Sequence, residues 1–273
     1  MSASSTATVS WNPIGLLGRM VLDSCRAVGA LTLFFCTMVG WLIRRQPGRH
    51  ELLNCMVQVA VHSLNVVMLT GAFIGMVIAV QTYDQFRFLH METQLGAAVN
   101  ISLFKELGPV LAAVMLAGRV GSAMAAELGT MKVTEQIDAL WALGANPTHY
   151  LVVPRFLACV MMCPLLTLFA DAAGVVGGWF FSVSVLGVNN THYWDHCLGY
   201  VGMYEILGGA AKSIFFGAAI SLIACHRGFH CDAGAQGVGK AATEAFVYAF
   251  ILILALDFML SMFLNGLYDL IWR

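Results

Sequence analysis

Charge is what this sequence has least of: only 11% of its 273 residues are Asp, Glu, Lys or Arg, against roughly 25% in a soluble domain. It also lacks a surplus of either sign, because 14 Lys and Arg face 15 Asp and Glu and leave a net charge of −1. No overall field therefore draws a nucleic acid or an acidic partner toward it. Hydrophobic residues make up 59% of the chain, and a mean hydropathy of +0.79 excludes a disordered tail, a basic nucleic-acid binder and an ordinary cytosolic enzyme. Such a chain belongs in a bilayer.

Catalytic patterning is missing as well. No Ser-His-Asp or Cys-His arrangement stands out, and no carboxylate is accompanied by a second catalytic motif. The eight cysteines lie mostly in apolar runs, where a thiol behaves as a small hydrophobe, and suggest no disulfide framework. Residues 1–13 place no basic group ahead of an apolar core and Ile43 is followed by no small-residue cleavage site, so a cleaved signal peptide is not expected. Gly234 to Ala241 reads GAQGVGKA and fits GxxxxGK, but Ala241 brings no hydroxyl for magnesium and the stretch follows an apolar span instead of a strand. A glycine-rich turn is expected there. Cys225, His226, His230 and Cys231 carry enough ligand atoms for zinc, but at the spacing of no common zinc module, so no metal is expected.

What is present is a series of long apolar runs. A spanning helix needs about 20 residues, at about 1.5 Å each, to cross about 30 Å of hydrocarbon. Residues 52–81, 107–126, 156–188, 206–225 and 245–268 qualify, which predicts an all-α integral membrane protein with five spans. The stretch from Ala27 to Ile43, between Arg26 and Arg44, fits either a short span or an interfacial elbow. Basic residues stay on the cytoplasmic side. With five spans and an inner N-terminus, Arg19, Arg26, Arg44, Arg155, Arg227 and Lys240 all fall there, which favours the elbow. The chain then divides into an N-terminal tail with its interfacial helix, 1–50, and a membrane-spanning domain, 51–273. Small residues such as Gly71, Gly75, Gly118, Gly174, Gly177 and Gly178 recur at helix-neighbour spacing, suiting either internal packing or a subunit interface.

Between the second and third spans runs ELGTMKVTEQIDALWALGANPTHYLVVPR, Glu127 to Arg155. Thr134 is placed to cap a short helix, Gly144 follows its last turn and Pro147 is expected to stop it resuming. Val133, Ile137, Leu140 and Trp141 form one apolar stripe, with Glu135, Asp138 and Ala142 facing away, so the helix should lie flat.

Charges inside a membrane are costly and face a cavity or a partner. Lys105 and Glu106 at the outer end of the second span, with Lys212 in the fourth, fit a cavity that holds a lipid phosphate. They fit equally a structural Glu106–Lys212 pair with Lys105 snorkelling to the interface. Asp171 and Asp257 are single carboxylates in spans, suited to structural hydrogen bonding or to ion coupling, and Arg119 is placed to neutralise one of them.

From Lys105 to Arg155 the sequence KELGPVLAAVMLAGRVGSAMAAELGTMKVTEQIDALWALGANPTHYLVVPR resembles the signature of the MlaE-type permeases. These are membrane subunits of ABC transporters that move phospholipid or other lipid with MCE-domain partners. The likeness continues through LFADAAGVVGG, GAQGVGKAATEAFV and ALDFML, over about residues 50–265. It implies a homodimer of five-span subunits with an N-terminal interfacial helix, multi-pass in a bacterial inner membrane, with the N-terminus cytoplasmic. It also implies a periplasmic MCE-domain protein, a cytoplasmic ATPase subunit that binds the ATP, a small STAS-type regulator as an optional component, and no nucleic acid. On that basis the chain itself holds no cofactor and is not an enzyme. The resemblance makes the short helix a coupling helix, with Glu135, Ile137, Asp138, Leu140 and Trp141 against the ATPase, and Lys105, Glu106 and Lys212 lining the lipid pocket. Lys105 stands where the family more often has Arg, which keeps the charge without the bidentate fork. The competing reading is an ion-coupled secondary transporter using Asp171 and Asp257.

Overall fold

The computed structural model describes residues 13–44, 47–89, 91 and 94–272, and every regular element among them is a helix. In chain order these are α1 (Pro13–Arg44), α2 (Arg49–Phe88), α3 (Leu95–Val133) and α4 (Gln136–Ala142). Then follow α5 (Thr148–Ser184), α6 (Asn190–Tyr200), α7 (Met203–Phe229) and α8 (Gly234–Trp272). The helices α2, α3, α5, α7 and α8 are long and apolar enough to cross a membrane, and α1 adds a shorter apolar stretch, Val28–Arg44. The all-α membrane protein read from the sequence is the one that folds.

The helices overrun the apolar stretches that announce them. α2 has 40 residues, about 60 Å at 1.5 Å each, twice the hydrocarbon thickness. α5 starts at Thr148, directly after Pro147, so proline opens this helix instead of keeping it away. A missing N–H is no loss at a helix start. The GAQGVGKA segment is likewise not a turn: it forms the first turns of α8, and only the residues just before Gly234 carry the chain around.

Packing starts from the smallest residues. The buried positions of α2 are Val59, Ser63, Val67, Gly71, Gly75 and Ala79, four apart throughout, which makes one continuous ridge slanting along the helix, the seam of the bundle. It lies against α5, where a Cβ added at Gly71 or Gly75 would strike the carbonyl oxygen of Ala170 or Gly174, and one added at Gly177 would strike that of Ala72. These glycines serve internal packing, which settles their role among the two alternatives. Around this seam, α3, α5, α7 and α8 bury Leu116, Ala158, Leu166, Phe216, Ile220 and Ile253 in the main core.

Two smaller cores define the ends. At one end Met38 of α1, Leu128 of α3, Ile137 of α4 and Leu151 to Val153 of α5 pack together. Two ion pairs, Arg155 to Glu127 and Arg227 to Glu244, both at 3.1 Å, brace the same end. At the opposite end α6 inserts Tyr193 fully buried against Leu95 and Val99. Its cap is Asn189, whose side chain accepts from the Thr191 N–H at 2.9 Å, and Asn190 Oδ1 accepts from Trp179 Nε1 at 2.8 Å.

Candidate functional site

Two features at opposite ends of the bundle carry the chemistry. The first is built on α3, whose ladder is interrupted by π-helical turns at Leu103–Leu107 and Ala117–Gly121. Such turns inside α-helices cluster at functional sites because they displace backbone groups from the regular ladder. Every Lys, Arg and Glu in the middle of α3 sits on one of them: Lys105 and Glu106 on the first, Arg119 on the second.

Lys212 of α7 reaches the first π turn. Its Nζ donates to the Lys105 carbonyl at 3.1 Å, to Asp257 Oδ1 at 3.0 Å and to Ser261 Oγ at 2.7 Å. The residue is 2% exposed. An ammonium has three N–H groups, and all three are used here within the chain. The ion-pair partner of Lys212 is therefore Asp257 and not Glu106, a pairing across α7 and α8 that linear spacing does not display. Glu106 is exposed, and the Lys105 ammonium, half-buried beside Lys212, has no hydrogen-bond or ion-pair partner among the described residues. Lys105 and Lys212 line one pocket with Tyr204, Glu205 and Asn265, which holds only about 10 Å³ of free space in a single chain.

The two membrane carboxylates are separated from each other in role. Asp257 is held by Lys212, whereas Asp171 is 2% exposed and lies against Gly108 of α3, where any Cβ would collide with its Oδ1. Arg119 pairs with neither.

The second feature is α4, at the end bearing the Arg155 and Arg227 pairs. It starts one residue later than expected: Thr134 does not cap it, because its Oγ1 donates to Thr130 O at 2.8 Å, and Glu135 takes the cap position with φ 58°. The far end matches the reading. Gly144, at φ +75°, closes a Schellman motif in which Ala145 N–H bonds Leu140 O at 3.0 Å. Ile137 is 3% exposed and Leu140 half-buried, so these two anchor α4 to the bundle. Asp138 turns back to Lys132, with both carboxylate oxygens at 3.0 Å from Nζ. Trp141, placed by its spacing on the buried stripe, is instead 58% exposed, and Leu143 beside it is 81% exposed. A helix of seven residues is too short for periodicity to decide which face is buried.

Glu135 is the only non-glycine residue with positive φ among the described residues. A left-handed conformation costs an L-residue about 1–2 kcal/mol. Replacing Glu135 by Gly should therefore raise stability by about 1 kcal/mol, measured as a higher thermal midpoint in detergent. An unchanged or lower midpoint would mean that the Glu135 side chain repays the strain.

A bundle of five bilayer-length helices with a charged pocket at one end and an anchored loop helix with an apolar tip at the other is the architecture of a membrane permease. The Permease MlaE family model matches residues 52–263. A probable ABC transporter permease protein of Rickettsia typhi is 37% identical over 250 residues, covering 92% of this chain and 96% of that protein. The intermembrane phospholipid transport system permease protein MlaE of Haemophilus influenzae is 37% identical over 259 residues, 93% of this chain and 98% of its own length. A chloroplastic protein of Arabidopsis thaliana, trigalactosyldiacylglycerol 1, is 38% identical over 201 residues, 74% of this chain and 57% of that protein. The chain belongs to the MlaE permease family, and so stands among the membrane permease subunits of ABC transporters.

Proposed function

We propose that this chain moves phospholipid or a related lipid between the bacterial inner membrane and an MCE-type periplasmic partner, as a homodimer driven by a separate cytoplasmic ATPase subunit. The observation that carries the reading is the pocket at Lys105: an ammonium with no partner among the described residues, in one pocket with a fully bonded Lys212, at the membrane end opposite α4. Lys105 attracts the lipid phosphate, and Lys212 fixes the π turn from which Lys105 projects. Positive-inside bias puts α4 and the N-terminus in the cytoplasm. There the Trp141 and Leu143 tip fits a groove on the ATPase, while Ile137 and Leu140 transmit its motion to α3 and α5 through the end core. ATP hydrolysis belongs to that partner. Opening of the nearly filled pocket is the step that nucleotide drives.

Two measurements test this. Trp141→Asp with Leu143→Asp should lower copurification of the ATPase at least about tenfold, as expected for exposed aromatic anchors. The permease should keep its thermal midpoint, since neither side chain is buried. Undiminished ATPase recovery would contradict the docking assignment. In reconstituted vesicles the complex should transfer phospholipid only with ATP. Transfer driven by a proton or sodium gradient alone would replace this reading with ion coupling through Asp171 and Asp257.

A further inference from the structure

Along α2, Asn54, Gln58, His62 and Asn65 follow one another at intervals of four, four and three, so they share one helix face. All four are exposed on the single chain. They follow the α4-side end of α2 up to the start of its most apolar stretch, where acyl chains offer amides and imidazoles no partner. This face is therefore not turned to lipid tails. Across from it, the π turn of α3 presents Arg119, also exposed and without a hydrogen-bond or ion-pair partner among the described residues. Between the two helices lies a cavity of about 230 Å³, lined by Gln58, His62, Ser63 and Arg119 together with apolar side chains of α3. Ser63 is 1% exposed, and its Oγ is buried there with no hydrogen-bond partner.

The donor set identifies the occupant. A guanidinium fork, an amide, an imidazole and a hydroxyl converge with no carboxylate in the lining, which is a set for an oxyanion such as a phosphate diester. Arg119 lies 14 positions after Lys105 on α3, about 21 Å nearer the α4 end at 1.5 Å per residue. We infer that Arg119, Gln58, His62 and Ser63 form a second headgroup station, in the half of the membrane next to α4, that takes the phosphate of a phospholipid. The inference rests on the lipid-permease reading and extends it: a lipid would meet two cationic stations in succession along α3. The neighbouring α2 surface, with Leu69 and Phe73 exposed, is apolar enough to carry its acyl chains.

The test uses the intact transporter in nanodiscs of mixed phosphatidylglycerol and phosphatidylcholine, with native mass spectrometry counting the retained lipids. Read in a Lys105→Gln background, where the other cationic station is lost, Arg119→Gln should lower retained phosphatidylglycerol about tenfold, the loss expected for one charge-assisted contact. Gln58→Leu with His62→Leu, an apolar pair on an exposed face that leaves the fold intact, should do the same. Retention equal to the unaltered protein in both variants overturns the station. Arg119-dependent binding of inorganic phosphate as tight as that of lipid, in lipid-free detergent, overturns the headgroup assignment. Efficient disulfide formation between two copies of a Gln58→Cys variant makes this face a protein interface and overturns the site. A transporter that retains no phospholipid in any form brings down the lipid-permease reading itself, which separates the two failures.

Discussion

Lys212→Met should destabilise the bundle by about 3 kcal/mol and abolish lipid transfer, whereas Lys105→Gln should abolish transfer alone. Breaking a buried ion pair costs about 3–5 kcal/mol because one charge is left without compensation. The lower value applies here because the Asp257 side chain keeps 22% exposure while that of Lys212 keeps 3%. Adding Asp257→Leu to Lys212→Met removes the orphaned carboxylate and should recover about 2 kcal/mol. The remaining deficit, about 1 kcal/mol, comes from the Lys105 carbonyl and the Ser261 hydroxyl that lose their donor. The Lys105 ammonium has no partner among the described residues, so Lys105→Gln should stay within about 0.5 kcal/mol of the parent protein. Thermal unfolding in detergent reads the first quantity, and ATP-dependent transfer of fluorescent phospholipid reads the second. Were Lys105→Gln as unstable as Lys212→Met, the division between a binding and a supporting lysine would be wrong. Were the Lys212→Met, Asp257→Leu protein to transfer lipid at the parent rate, Lys212 would have no part in placing Lys105.

The sequence displays the fold and part of the site, and the boundary between legible and illegible is physical. Five spans are visible because burial in hydrocarbon demands runs of about 20 apolar residues, a signal carried by composition. The ends of the helices are not, because beyond the bilayer a helix continues on ordinary propensity, as α2 does to Phe88 and α5 does back to Thr148. Gly144 is legible since a positive φ selects glycine, while Glu135 at φ 58° breaks the same rule and misleads. The charges at 105, 106 and 212 mark a site by their rarity in a span, yet the partner of Lys212 is 45 residues away on another helix. Residue spacing within one helix holds no information on which neighbour lies across a groove. Leu143 escapes notice for a related reason: at the C-cap of α4, its exposure depends on where the Schellman turn throws it. The polar face at Gln58 and His62 was written in plain four-residue periodicity. It is masked because neither residue is charged, and a search for formal charge in spans passes over it.

Gly75→Ala, the addition of one methyl group, should cost about 3 kcal/mol, at the upper end of overpacking effects. The usual relief is unavailable: the new Cβ would point at the carbonyl oxygen of Gly174, which is backbone on a facing helix and has no side chain to move aside. Only separation of α2 from α5 makes room, and the seam from Val59 to Ala79 then loses contact along its length. Gly239→Ala, in α8, is the control, because a Cβ there meets nothing within 4 Å. The same substitution at that site should stabilise by about 0.5–1 kcal/mol, since alanine gives up less backbone freedom in a helix. Opposite signs from an identical chemical change would locate the effect in helix approach and not in glycine content. Displacement of α2 should also reach function, because Ser63 on the buried seam and His62 next to it turn with the same helix. Gly75→Ala protein that survives purification should therefore retain less phosphatidylglycerol while Gly239→Ala protein retains the normal amount. A stable Gly75→Ala protein with a full complement of lipid would show that the two helices do not sit as close as their carbonyls indicate.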